Sequence, residues 1–211
     1  MLVGIVDLGI NNLTSVQRAF SSPLEPTDSI IVVDEGKNAD RPDLLILPGL
    51  GKFGAGMLAL RERNLIEEIK VWNNAGTKVV GICLGMQLLG TTSEESPGVE
   101  GLDLIKSRIQ RLPVDKSERI PHIGWAETIE NSKTGTFPSL KSPGDFYFVH
   151  SFHLLPENEN ELLTRTPYGK YFFASSVFSR DILGVQFHPE KSGSKGRALI
   201  SEIIQWALDE S

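Results

Sequence analysis

The sequence predicts an α/β fold, a mostly parallel sheet with flanking helices and added antiparallel strands. Three observations carry that prediction. Short continuous apolar runs at residues 2–7, 29–33, 44–47 and 78–82 alternate with amphipathic stretches through the first half of the chain. Apolar strands of this kind, separated by helices, are those of a parallel sheet covered on both faces. Past residue 93 the rhythm changes, and extended runs follow one another with no long helix between them.

The elements follow in order. The first strand, 2–7, runs into a turn at Gly9-Ile10-Asn11-Asn12 and then a helix through Val16, Ala19 and Phe20. Strand 29–33 and strand 44–47 come next, the latter closed by Pro48-Gly49-Leu50-Gly51. Asn64 with Glu67 three residues later resembles a capping box. The helix it starts buries Leu65, Ile66, Ile69 and Trp72 and stops before Gly76. Arg61, Glu62, Arg63, Glu67 and Glu68 read as a solvated helix face. Strand 78–82 runs into Cys83. Extended runs at 102–109, 126–130, 145–152, 171–178 and 182–187 are the added strands. A closing helix carries Leu199, Ile200, Ile203, Ile204 and Ala207 on one face. No repeat, low-complexity tract or linker interrupts the chain, so residues 1–211 read as one domain.

Composition narrows the function. The chain has 21 Lys and Arg against 27 Asp and Glu, a net charge of −6. That balance argues against a nucleic-acid partner, which needs a basic surface. No apolar run approaches the roughly 18–20 residues of a membrane span, and no secretory signal is visible. The single cysteine excludes an internal disulfide and a multi-cysteine zinc site, so a reducing cytoplasm is the expected location. His122, His150 and His153 lack a spaced acidic or sulfur ligand set and read as packing or hydrogen-bonding residues. Neither a metal nor another cofactor is expected.

Gly81-Ile82-Cys83-Leu84-Gly85 has the form G-x-nucleophile-x-G, between a strand and a stretch containing Met86, Gln87, Leu88 and Leu89. This is the context of a nucleophile elbow. Cys83 would sit at a helix N-terminus, and the N–H of Leu84 would face the same spot to receive an oxyanion. Far along the chain comes Phe187-His188-Pro189-Glu190. The proline pushes His188 to an extended conformation, in which residues i and i+2 face the same way. Glu190 could then orient the imidazole and stabilise its protonated form. Cys, His and Glu supply nucleophile, general base and orienter for acyl transfer. Pro48-Gly49-Leu50-Gly51 closes a parallel strand at the carboxyl edge of the sheet, where ligands of open α/β folds bind.

Together these elements resemble the triad glutaminases of the class I glutamine amidotransferases, over nearly the whole chain. The matching stretches include Ile5-Val6-Asp7 with Asn12-Leu13, Pro48-Gly49-Leu50-Gly51 with Phe53-Gly54, and the run from Gly81 to Leu89. Pro121-His122-Ile123-Gly124-Trp125, Phe148-Val149-His150-Ser151 and Phe187-His188-Pro189-Glu190-Lys191-Ser192 complete them. The elbow and His-Pro-Glu are common to the superfamily. Pro-His-Ile-Gly-Trp and the trailing Lys-Ser are similar to the imidazole glycerol phosphate synthase branch, which serves histidine synthesis. The resemblance implies a flavodoxin-like sheet, with Cys83, His188 and Glu190 as the catalytic triad. Leu50, Gly51 and Leu84 would form the oxyanion hole. Gln87 and Glu95 would hold the amide and ammonium ends of L-glutamine, and the backbone around His150, Ser151 and Phe152 would line its pocket. Asn12, Arg18, Trp125 and Lys191 match positions facing a cyclase (synthase) subunit in a heterodimer. Such glutaminases are nearly silent until the partner docks. Asn11 stands where the family has a glycine, Ala126 where it has asparagine, and Phe152 where it has tyrosine. These departures bear on the acceptor of the ammonia. The implied alternatives are a paralogue serving sugar amidation in surface polysaccharides and a free-standing γ-glutamyl hydrolase.

Overall fold

The computed structural model describes every residue except 10–11, 37–38, 116–117, 132–135, 143 and 210–211. Ile10 and Asn11 of the expected first turn lie outside the described residues. In chain order the elements are β1 (Leu2–Val6), α1 (Leu13–Ser21), β2 (Ser29–Val33), β3 (Leu44–Gly49), α2 (Phe53–Glu62), α3 (Leu65–Asn74), β4 (Lys78–Cys83) and α4 (Leu84–Leu88). There follow β5 (Thr92–Ser93), β6 (Ser107–Arg111), β7 (His122–Glu127), β8 (Ile129–Glu130), β9 (Asp145–His150) and β10 (Phe152–Pro156). The chain ends with β11 (Leu162–Tyr168), β12 (Tyr171–Ser179), β13 (Ile182–Val185) and α5 (Gly193–Leu208).

Among the described residues the main sheet has the strand order β2-β1-β3-β4-β13-β12-β11-β8. Its first five strands are parallel and reproduce the 2-1-3-4-5 order of flavodoxin-like folds. The remaining three are antiparallel additions. β10-β6-β5 and β7-β9 form two smaller sheets beside it.

The alternation of strand side chains divides each apolar run between two faces. Val3, Ile5, Leu44, Ile46, Val80, Ile82, Leu183 and Val185 pack with Val16 and Phe20 of α1 and with Leu199, Ile200, Ile203 and Ile204 of α5. Val6, Leu45, Leu47, Val79 and Ile182 pack with Phe53, Met57 and Leu60 of α2 and Leu65, Ile69 and Trp72 of α3. At the far end of the sheet the buried Lys78 donates to the carbonyls of Trp206 and Asp209, 2.6 Å each, and closes the C-terminus of α5.

Some expectations need correction. β2 is an edge strand with Val32 41% exposed, so this run is not covered on both faces. The capping box does not form. Only Arg63 and Asn64 separate α2 from α3, so Asn64 reverses the chain in the left-handed region (φ 55°) and its side chain donates to Glu35 instead. Of the run 102–109 only the part from Ser107 is a strand, and the run 126–130 divides between β7 and β8. The sequence reading also passed over α2 and β11.

Candidate active site

Three parallel strands end side by side at the carboxyl edge. In their register Gly49 of β3 lies beside Cys83 of β4, and Ile82 lies beside Val185 of β13. The residues that follow each strand therefore converge without any long-range loop placement. These are Leu50-Gly51 after β3, Leu84 after Cys83, and Gln186 through Glu190 after β13.

Cys83 adopts φ 55°, ψ −108°, a strained conformation for a residue with a Cβ. The surrounding close approaches hold it there. A Cβ on Gly81 would meet the backbone of Gly85 and Met86 at 2.7 Å, and one on Gly85 would overlap the Leu47 carbonyl oxygen. Glycine at both positions is what lets α4 press against the end of β3. α4 is only five residues long, so it offers Cys83 its first N–H groups rather than a long macrodipole.

His188 is extended (φ −102°, ψ 95°), as its following proline requires, but Pro189–Lys191 then form a 3₁₀ turn. Glu190 reaches the ring because that turn curls back, not because the chain continues extended. Its Oε1 lies 2.8 Å from His188 Nδ1, with both side chains only 3% exposed. The His188 backbone is pinned on both sides. Its N–H donates to Tyr147 O at 2.8 Å, and its carbonyl accepts from Ser192 Oγ at 2.6 Å. Burial opposes charge on the imidazole. The Cys83 sulfur and the Glu190 carboxylate outweigh it and push the ring up to about 9. Nε2 has no hydrogen-bond partner among the described residues apart from the neighbouring sulfur that raises the ring, so it is the atom that holds the proton shared with the thiol.

In front of Cys83 opens a cavity of about 170 Å³ lined by Leu50, Gly51, Cys83, Leu84, Gln87, Glu95, Pro121, Val149, His150, Ser151 and Phe152. The structure thus brings together all the residues expected to form the oxyanion hole and to bind substrate. Gly51 takes φ 108°, a conformation that favours glycine. Glu95 Oε2 accepts from Phe53 N at 2.7 Å and Ser96 Oγ accepts from Gly54 N at 2.9 Å, so this segment caps α2 directly after the Leu50-Gly51 turn. Gln87 Nε2 donates to Phe152 O at 2.9 Å and to Gln186 Oε1 at 3.1 Å. His150 Nδ1 also bonds Phe152 O, at 2.8 Å. Burial holds the His150 ring down at about 3, against the pull of that carbonyl. It is a neutral wall of the cavity. His122 and His153 are buried among aromatic rings as packing residues, and burial likewise lowers both. Among the described residues no three His, Cys, Asp or Glu side chains converge to hold a metal, and no helix is long and apolar enough to cross a membrane.

On the outer surface Trp125 is 54% exposed and packs edge-on against Tyr147, centroids 5.8 Å apart. Lys191 Nζ lies 5.9 Å from the centroid of the same Tyr147 ring, and Arg18 lines an open cleft with Lys191 and Glu190. Asn12 is exposed at the start of α1. Sequence reading missed Tyr147, Ser192 and Gln186. Alternation from His188 was the one signal that could have found Gln186.

Residues 9–205 match the model of the family Glutamine amidotransferase class-I, and the chain belongs to that family. Among its relatives, Imidazole glycerol phosphate synthase subunit HisH of Prochlorococcus marinus (strain NATL2A) is 42% identical, covering 97% of this chain and 96% of its own. The protein of the same name from Thermotoga maritima is 42% identical over 99% of this chain and 98% of its own. The fold is similar to that of PurLQS from Thermotoga maritima, with a TM-score of 0.73 at 19% identity, over 97% of this chain and 98% of the other.

Proposed function

We propose that this chain is the glutaminase subunit of imidazole glycerol phosphate synthase. It hydrolyses L-glutamine to L-glutamate and ammonia and delivers the ammonia to a cyclase subunit in histidine biosynthesis. On this reading residues 1–211 act as one glutaminase domain in the cytoplasm, in a heterodimer with the cyclase and without cofactor or metal. The observation that carries the reading is Cys83, strained at the head of β4 with the cavity in front of it, and its sulfur beside the imidazole of the buried His188–Glu190 pair. The relatives named above favour the histidine branch over sugar amidation or free-standing hydrolysis.

Glutamine enters the cavity with its ammonium group at Glu95 and its side chain along Gln87. Cys83 gives its proton to His188 Nε2, and the sulfur attacks the γ-amide carbon. Glu190 steadies the resulting imidazolium. The developing oxyanion accepts hydrogen bonds from the N–H of Leu84 and from the Leu50–Gly51 peptide, one such donor being worth about 10²–10³ in rate. His188 then returns the proton to the departing nitrogen, and the C–N bond breaks to leave ammonia and a γ-glutamyl thioester. Water attacks the thioester with His188 as base, which releases glutamate and restores the thiol. Trp125, Lys191, Arg18 and Asn12 face the cyclase, whose docking favours the Leu50–Gly51 peptide in its donating orientation.

The test is glutamate and imidazole glycerol phosphate production from glutamine and the phosphoribulosyl nucleotide, with and without a cyclase subunit. Wild type should be stimulated by orders of magnitude, and Cys83→Ala should lose several orders of magnitude while still binding the partner. Turnover by Cys83→Ala at the wild-type rate, or full activity in the isolated chain, overturns the proposal.

A further inference from the structure

Behind the sulfur lies an amide that the triad does not use. Gln186 is fully buried, and its backbone N–H is fixed to Ser175 O on β12 at 2.9 Å. Its position follows from register. Val185 pairs with Ile82 across β13 and β4, so the next residue on each strand, Gln186 and Cys83, come side by side. Gln186 Nε2 approaches Cys83 Sγ at 3.7 Å, within hydrogen-bond range for sulfur.

The direction of that amide is not free. Phe152 O is a backbone carbonyl and only accepts, so the Gln87 atom 2.9 Å from it must be the nitrogen. The same nitrogen faces Gln186 at 3.1 Å, so the Gln186 atom there must be the oxygen. Gln186 is therefore left with its N–H groups toward the sulfur. A flip of either amide would set oxygen against oxygen or nitrogen against nitrogen in a buried place.

We propose that Gln186 is a positioning residue for the nucleophile, its N–H group receiving the charge of the Cys83 thiolate and Gln87 holding it in that orientation. The inference rests on the reading of Cys83 as nucleophile. A neutral thiol is a weak acceptor, so this N–H is poorly used while the sulfur keeps its proton. In that state the thiol has an alternative acceptor, Val149 O, at 3.7 Å. Once the proton moves to His188, the carbonyl repels the sulfur and the Gln186 bond becomes charge-assisted. The contact thus strengthens as the nucleophile is made and again when thiolate leaves the thioester. Interactions that strengthen along the reaction are the ones that raise rate.

Because Cys83 is the only cysteine, its alkylation is read without ambiguity. The experiment measures iodoacetamide modification of the intact chain by mass, across pH, for wild type, Gln186→Met and Gln186→Glu. Methionine keeps the length and apolar volume but has no donor, and glutamate keeps the shape but turns an acceptor to the sulfur. The titratable groups facing the sulfur are His188 with Glu190 after β13, and His150 with Glu95 across the cavity. All remain in each variant. The alkylation rate at pH 7 should fall about 10- to 100-fold in both, the worth of one hydrogen bond to a charged group, and recover as the pH is raised. With cyclase present, kcat should fall by a similar factor while KM stays within about threefold. Alkylation within twofold of wild type in either folded variant, or a loss that higher pH does not recover, overturns the proposal. If methionine prevents folding by circular dichroism, the glutamate variant decides. A wild-type chain that is alkylated but never hydrolyses glutamine would refute the glutaminase reading alone.

Discussion

Replacing Glu190 by glutamine removes one of the two groups, with the Cys83 sulfur, that hold His188 protonated, while keeping the shape of the pair. The two side chains are 3% exposed and 2.8 Å apart, so solvent screens little of the interaction. Burial opposes a charged imidazole, and the Cys83 sulfur and Glu190 together raise it from 6.5 to about 9. A histidine whose folded value lies above its unfolded one contributes stability that is complete below about pH 6.5. That stability is lost as pH rises toward about 9. The full span corresponds to about 3 kcal/mol, which for a chain of this size is roughly 6–12 °C in Tm. Without the carboxylate the Cys83 sulfur alone opposes burial, and the ring gives up its proton at lower pH. Wild type should therefore lose more of its Tm between pH 6 and 9.5 than Glu190→Gln does, by a few degrees. Loss of one buried charged hydrogen bond should also cut kcat about 10- to 100-fold with the cyclase present. Melting curves at half-unit pH steps, with glutamate release at saturating glutamine, measure both. A variant with the wild-type pH slope and kcat within twofold would refute this account of the pair.

Further outcomes follow from the same geometry. Gly85→Ala should fail to fold or lose several degrees in Tm, because its Cβ overlaps the Leu47 carbonyl oxygen, and a melt at wild-type temperature would contradict that packing. Glu95→Ala should raise KM for glutamine and also lower kcat, since the same carboxylate caps Phe53 N beside the Leu50–Gly51 turn. Unchanged steady-state constants would remove Glu95 from the substrate site. Trp125→Ala should reduce stimulation by the cyclase more than the basal rate, with little change in stability because the ring is 54% exposed. Equal losses in both rates would deny it a partner-facing role.

What the sequence made legible was set by local constraint. The elbow announces itself because two glycines must flank any residue held at the end of β4 with α4 so close. His188 and Glu190 announce themselves because proline fixes the backbone between them. Features that depend on register were hidden. Gln186 reads only as a polar interruption in an apolar strand, and its partners on β4, α4 and β12 are defined by how strands pair. Tyr147 joins Trp125 to Lys191 across two elements that no spacing connects. β11 carries Arg165 and Pro167, which argue against a strand, yet it pairs with β12 and β8 where the sheet adds antiparallel strands. Asn64 misled because its side chain suits a cap, whereas the two-residue link from α2 required its left-handed backbone.

The site combines two kinds of support, and on the proposed reading the difference between them is what holds its chemistry in check. Cys83, Gln186 and His188 hang from the ends of adjacent parallel strands, in a core where backbone pairing fixes their separation. The Leu50–Gly51 turn follows a strand too, but it ends at a glycine with φ 108° and is held beyond that by the bonds from Glu95 and Ser96 to the start of α2. On the proposed reading, a rigid nucleophile and base face an oxyanion peptide whose orientation sets the rate. Glu95 touches both the substrate cavity and the anchor of that peptide. An event at either end of this short link bears on the other, and its effect is limited to the difference in affinity for the two orientations. Since one oxyanion donor is worth about 10²–10³ in rate, a preference of about 3–4 kcal/mol at the peptide suffices to separate an idle glutaminase from an active one.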